Sequence, residues 1–195
     1  MPMLVRLVRQ DGRLVPDRLL RASDFFGALG ESNNPEWKAV AFDEKSGELV
    51  APNGSVGFRW GEKGKWNLEE KDSSGRDTRL CLSLAGIKDE FADVAFPYFG
   101  NLEHDHFSGT DHPSVLMRQV PVKKVQLAEG EGLVASVYDL FVANYGIDRG
   151  FGGGNVAKSY DENEPYTPAW AEKITGVPRD QIITVAREFA LNAEK

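Results

Sequence analysis

Tyr166–Ala190, YTPAWAEKITGVPRDQIITVAREFA, carries the clearest local structure in the chain. Pro168 fixes φ near its helical value at a first-turn position, where a missing N–H is harmless, and Ala169, Trp170 and Ile174 follow at close to helical spacing. Gly176 is placed to take the left-handed conformation that ends a helix. Pro178 opens a second helix, in which Ile182, Val185, Ala186 and Phe189 recur on one face. The spacing predicts that this face is buried. The segment reads as a helical hairpin.

Upstream of it the pattern changes. Residues 150–165 form a glycine-rich and then acidic stretch that reads as a flexible connection, and residues 136–145 are apolar enough for a helix ending near Gly146. Residues 115–127 offer one or two strands, and residues 79–84 alternate as a strand would. Residues 4–9 and 13–15 flank Gln10-Asp11-Gly12, a hairpin signal, and residues 37–42 and 48–51 flank a second one at Glu44-Lys45-Ser46-Gly47. Residues 18–29 read as a short helix or a loop that buries its apolar side chains. Between the hairpins and the later strands, residues 52–75 are rich in Gly, Lys and Glu, an irregular surface insertion anchored by Phe58, Trp60 and Trp66. Hairpins first and helices last give an α+β class. The expected division is a hairpin-rich lobe over 1–135, with its insertion at about 52–78, and a helical segment over 136–195. No internal repeat is found, and the final helix reads as continuing into further structure.

Composition removes several functions. The chain has 195 residues, 41% hydrophobic and 27% charged, with a net charge of −7. That charge excludes a phosphate-backbone partner, so no nucleic acid is expected. No apolar run approaches the length of a bilayer span, and Arg6 and Arg9 interrupt the N-terminal apolar stretch too early for a signal peptide. Cys81 is the single cysteine. It excludes an internal disulfide, fits a reducing compartment and is too few for an iron–sulfur cluster.

Four motifs bear on chemistry. GFGGGNVAKS (Gly150–Ser159) approaches a phosphate-binding loop from Gly152 onward, but the second required glycine is Ala157, and an acidic run, Asp161-Glu162-Asn163-Glu164, stands where a helix should open. The phosphate reading is rejected in favour of a glycine loop. All three histidines, His104, His106 and His112, lie in one polar window with Glu103, Asp105 and Asp111. His104 and His106 share one face of an extended segment and would give zinc two ligands, although the composition fits a solvated loop better. Cys81, in an alternating apolar setting, reads as an inert core thiol, and no nucleophile elbow occurs. Lys63 and Lys65 beside Trp60 and Trp66 form a charged aromatic cluster suited to packing on its own domain or to an interface.

The wording of several stretches is more specific than their pattern. Tyr166–Ala190 resembles the segment that molybdopterin oxidoreductases carry before their second cofactor-binding half. With NNPEWKAVAF (Asn33–Phe42), VAPNGSVGFRWGEKGKWNLEE (Val50–Glu70), FPYFG (Phe96–Gly100), QVPVKKVQLA (Gln119–Ala128) and VYDLFVANYGIDRG (Val137–Gly150), it is similar to the α (catalytic) subunits of membrane-bound respiratory nitrate reductases. The resemblance covers nearly the whole chain, and even MPMLVRL is similar to an internal stretch of those subunits.

The resemblance implies an internal scaffold fragment of a larger α/β enzyme. That enzyme reduces nitrate to nitrite at molybdenum held by two molybdopterin guanine dinucleotides, with electrons passed from quinol through iron–sulfur clusters, [4Fe-4S] among them. Its implied partners are the remaining domains of the α subunit, an iron–sulfur β subunit and a membrane haem γ subunit. Its implied place is peripheral, on the cytoplasmic side of the bacterial inner membrane, with no insertion of this segment. The motifs that ligate molybdenum and the cluster in this family are not in this sequence. No residue here is assigned a catalytic or metal-ligating role, and none is singled out for the cofactor. The segment alone is expected to be cofactor-free and inactive. Two other functions fit the residues: an autonomous protein-interaction module using the Trp60–Trp66 insertion, and a metal-dependent hydrolase using His104, His106 and His112.

Overall fold

Asp11 and Gly12 lie at φ 50° and 78°, the left-handed pair that a two-residue hairpin loop requires. They join strand β1, Leu4–Gln10, to β2, Arg13–Leu19, in antiparallel register from Gln10 against Arg13 to Val5 against Leu19. The first expected hairpin is therefore present, with a longer second strand. The structure is a computed structural model that describes residues 1–52, 71–72, 74–98 and 115–193.

The second expected hairpin is a short one. β3, Ala41–Phe42, pairs with β4, Leu49–Val50. Its turn is built around the Asp43 carboxylate, which accepts hydrogen bonds from the Arg79 N–H at 2.8 Å, the Ser46 N–H at 3.0 Å and the Ser46 hydroxyl at 2.8 Å. The Arg79 amide, then the Ser46 donors, hold the Asp43 pKa down at about 2, against the opposing effect of burial. After β2 the chain makes a 3₁₀ turn, Ala22–Asp24, and then a left-handed turn at Gly27, Ala28 and Leu29 (φ 59°, 49° and 54°), with Phe25 buried and Phe26 exposed.

The strand expected over 79–84 does not form. The segment touches β3 through a single bridge, Asp43 to Leu80, and through the Cys81 N–H, which donates to the Phe42 carbonyl at 2.8 Å. Beyond it the backbone finds side-chain partners instead of a ladder. Ser83 Oγ accepts from the Ala85 N–H to cap a 3₁₀ turn, Leu84–Gly86, and the Leu84 N–H donates to Asp139 at 2.7 Å.

Three further strands, β5 (Glu90–Pro97), β6 (Val115–Leu127) and β7 (Gly130–Ser136), close a five-stranded sheet in the order β1-β2-β5-β6-β7. β6 turns directly into β7, with Leu127 opposite Gly130, and β7 returns alongside β1, with Leu4 opposite Ser136. The helices follow: α1 over Val137–Asn144, α2 over Pro168–Thr175 and α3 over Arg179–Ala193. The class is thus α+β, hairpins leading and helices closing. The insertion expected over 52–75 falls largely outside the described residues. Among the described residues no helix is long and apolar enough to cross a membrane.

The chain divides into two compact units, Met1–Ala92 with Val120–Phe141, and Asp93–Gln119 with Val142–Lys195. The first holds a core of Leu4, Leu20, Phe25, Val40, Phe42 and Leu84 with their neighbours. It also holds a buried carboxylate, Asp139, only 1% exposed. That carboxylate accepts from the hydroxyls of Ser83 at 2.7 Å and Ser136 at 2.8 Å as well as from the Leu84 N–H, while Ser136 Oγ accepts from the Asp139 N–H. This reciprocal cap starts α1.

In the second unit, the hairpin Tyr166–Ala190 has the expected joint. Thr167 Oγ1 caps α2 by accepting from the Trp170 N–H at 3.1 Å, and Gly176 ends it at φ 72°. One expectation is overturned. No residue of α3 is buried, and Val185 and Phe189 are 64% and 78% exposed. The apolar stripe is real, and Ile182 is half-buried, but the described residues leave Val185 and Phe189 uncovered.

Candidate functional site

The second unit is organised around an arginine in a core position. In β6 the period of two places Leu116, Arg118, Val120 and Val122 on one face, and all four are fully buried. Arg118 Nε donates to the Ala143 carbonyl in the last turn of α1 at 3.0 Å. Its Nη1 donates to the carbonyls of Gly154, at 3.1 Å, and Asn155. Nη2 is buried and makes no hydrogen bond among the described residues. Burial lowers the Arg118 pKa from its ordinary value, opposed by attraction to Glu164 and Tyr166. A cation at the carbonyl end of α1 also complements the helix dipole.

Glycines let the chain approach this guanidinium. Gly146, at φ 65°, follows α1, and a Cβ there would lie 2.7 Å from Arg118 Nη2 and 3.0 Å from the Asn155 carbonyl oxygen. Gly153, at φ 95°, packs on β6 so closely that a Cβ would meet Gln119 Cγ at 2.9 Å. Gly153 and Gly154 are therefore laid against β6, and the carbonyls of Gly154 and Asn155, not amides, face the charge. The glycine segment follows α1, and the next helix opens only at Pro168. This geometry agrees with rejecting a phosphate-binding loop.

Beside the clamp lies an open cleft of about 540 Å³, lined by Tyr145, Tyr160 and Tyr166 together with Asp148, Lys158 and Asp161. Tyr166 sits at φ 71°, a left-handed conformation that a bulky residue adopts only under constraint. Its ring meets Tyr145, Tyr98 and Trp170 edge-on, with centroids 5.6, 6.0 and 5.3 Å away. Trp170 Nε1 donates to the Tyr98 hydroxyl at 3.0 Å. Asp161 is ion-paired with Arg179 at 2.6 Å, and Asp148 accepts from the Gly150 N–H. Among the described residues the lining contains no histidine or cysteine. It offers stacking faces and hydrogen bonds rather than a nucleophile with its base.

Most of the site residues read from the sequence are not among those described. His104, His106 and His112, with Glu103, Asp105 and Asp111, lie outside the described residues, as do Trp60, Lys63, Lys65 and Trp66. Cys81 is buried, and burial, with Glu44 and Asp43 nearby, pushes its thiol pKa up; a thiol so placed is a poor nucleophile. Among the described residues no three of His, Cys, Asp and Glu come together as metal ligands. These residues do not fit an iron–sulfur cluster, which takes about four thiolates.

Sequence reasoning missed Arg118. Its signal was present, because Leu116, Arg118, Val120 and Val122 alternate in phase. The aromatic cluster was flagged only as wording, in FPYFG and YTPAW, since its members are far apart in sequence.

No protein-family model matches the chain. Among curated proteins it is similar over its whole length to the respiratory nitrate reductase 1 alpha chain of Escherichia coli (strain K12), 58% identical over 197 aligned positions that cover 16% of that protein. It is 59% identical to the respiratory nitrate reductase 2 alpha chain of the same organism, again over 16% of its length. It is 39% identical to the nitrate reductase alpha chain of Bacillus subtilis (strain 168), over 98% of this chain and 15% of that protein. The chain spans about one-sixth of the length of these relatives.

Proposed function

We propose that this chain, related along its whole length to the nitrate reductase alpha chains, is an internal scaffold segment of a respiratory nitrate reductase α subunit. The observation that carries the proposal is the identity of 58–59% sustained over the whole chain rather than over one motif.

In this reading the complete enzyme is an oxidoreductase that reduces nitrate to nitrite. Molybdenum bis-molybdopterin guanine dinucleotide and [4Fe-4S] clusters, held by other parts of the α subunit, supply the redox chemistry. Electrons come from quinol through an iron–sulfur β subunit and a membrane haem γ subunit, and the complex is peripheral on the cytoplasmic side of the inner membrane. The part played by this segment is mechanical. The buried Arg118 clamp and the Asp139 cap fix two stretches of backbone from within, through hydrogen bonds to groups of the segment itself.

The test is nitrite formation with a reduced dye as donor. The full-length polypeptide that carries this segment is expected to form nitrite, and the 195-residue chain alone is expected to form none and to lack visible absorbance. Nitrite made by the 195-residue chain would overturn the scaffold role. A full-length polypeptide that is folded and loaded yet inert toward nitrate would overturn the enzyme assignment.

A further inference from the structure

Among the described residues, the apolar face of α3 is used by neither the clamp nor the cleft. Ile182, Val185, Ala186 and Phe189 line it with Val177 and Gln181 around a shallow groove of about 550 Å³. Val185, Phe189 and Val177 are 64%, 78% and 42% exposed. Water-facing apolar stripes of this kind mark contact surfaces. We infer that this face docks onto a part of the same polypeptide that has no counterpart in this chain, and that the docked surface is apolar and uncharged. The inference rests on the reading of the chain as a segment of an α subunit.

Three observations select that occupant. The relatives are about six times longer than the aligned region, so most of their length lies outside it. The face is small: a helix of 15 residues is about 22 Å long and about 10 Å wide, offering roughly 220 Å² on one side. A stable complex between free partners needs about 800 Å² from each. A second copy would therefore bind weakly, whereas a covalently connected segment gains from a high effective concentration. The polar side of α3 carries Arg179 and Arg187 against Asp180 and Glu188, a balance unlike the Lys/Arg-rich polar faces of helices that lie on membranes.

The test uses the full-length polypeptide with single substitutions Ala186→Cys, on the face, and Arg187→Cys, one residue away on the polar side. Native maleimide labelling is followed peptide by peptide by mass spectrometry, so that other cysteines do not interfere. At Ala186→Cys labelling is expected to be at least about tenfold slower than at Arg187→Cys, at every protein concentration and without lipid. Equal rates overturn the inference. So does protection that appears only with concentration and a doubled mass, which assigns the face to a second copy, or only with anionic vesicles, which assigns it to lipid. Nitrite formation by the same preparations separates the two claims. An active preparation with an unprotected Ala186→Cys rejects the docking alone, and a protected but inactive one rejects the enzyme assignment alone.

Discussion

Replacing Arg118 by alanine removes three hydrogen bonds from a fully buried guanidinium, to the carbonyls of Ala143, Gly154 and Asn155. At about 1.5 kcal/mol each, the lower end for charged donors, the bonds together contribute roughly 4–5 kcal/mol. Burying the cation opposes this by some kcal/mol, and alanine relieves that penalty. The net expectation for Arg118→Ala is a loss of about 2–4 kcal/mol, with the Gly154 and Asn155 carbonyls losing their guanidinium donor and Ala143 keeping only the Gly146 N–H. Arg118→Lys keeps the charge but not the planar fork that reaches α1 on one side and the glycine segment on the other, so it recovers less than half of the loss. Urea unfolding followed by aromatic fluorescence gives the totals. Amide hydrogen exchange gives the location: the Gly146 and Ala157 amides, which donate to Ala143 and Gly146, should lose protection first. An Arg118→Ala chain within about 0.5 kcal/mol of the parent, or full rescue by lysine, would refute the clamp.

Gly146→Ala should cost about 2–3 kcal/mol, combining left-handed strain with displacement of the guanidinium. Gly12→Ala, at φ 78° with open space around it, should cost only about 1 kcal/mol, and equal losses by urea unfolding would mean that the Arg118 contact is unimportant. Asp139→Ala should cost about 2–4 kcal/mol, because it strands the Leu84 N–H and the Ser83 and Ser136 hydroxyls, and Asp139→Asn about half as much; a neutral Asp139→Ala would contradict this. Asp43 has a folded pKa of about 2, below its unfolded value of about 3.9, so its contribution is present above pH 4 and lost as the pH falls toward 2. The stability gap between the parent and Asp43→Ala, about 1–3 kcal/mol at pH 6, should close across that window, and a gap independent of pH would rule out the carboxylate as its source.

The elements legible in the sequence are those specified by neighbouring residues. Asp11-Gly12 closes the first hairpin, and Pro168, Gly176 and Pro178 bracket the helices, because turn and cap chemistry acts over a few residues. Closure of the sheet was not legible. It depends on the pairing of β7 with β1 and of β5 with β2, between strands far apart along the chain, which leaves no local mark. Residues 79–84 alternate like a strand, yet the Asp43 and Asp139 carboxylates take up the Arg79 and Leu84 N–H groups, and Ser83 caps the turn that follows. The α3 stripe shows a different limit. Periodicity states that a face is suited to burial without stating what buries it. At the candidate site, Arg118 was encoded in the alternation of β6, but its three carbonyl partners are set by tertiary packing.

Metal content is the most direct test of the central claim that these residues serve as scaffold within a nitrate reductase. The full-length polypeptide, purified natively, is analysed for molybdenum and iron alongside nitrite formation. Molybdenum near one atom per polypeptide, iron in cluster amounts and nitrate-dependent turnover, with neither metal on the 195-residue chain, is the predicted result. A full-length polypeptide that is active without molybdenum, or a 195-residue chain that itself retains molybdenum or iron, would contradict it.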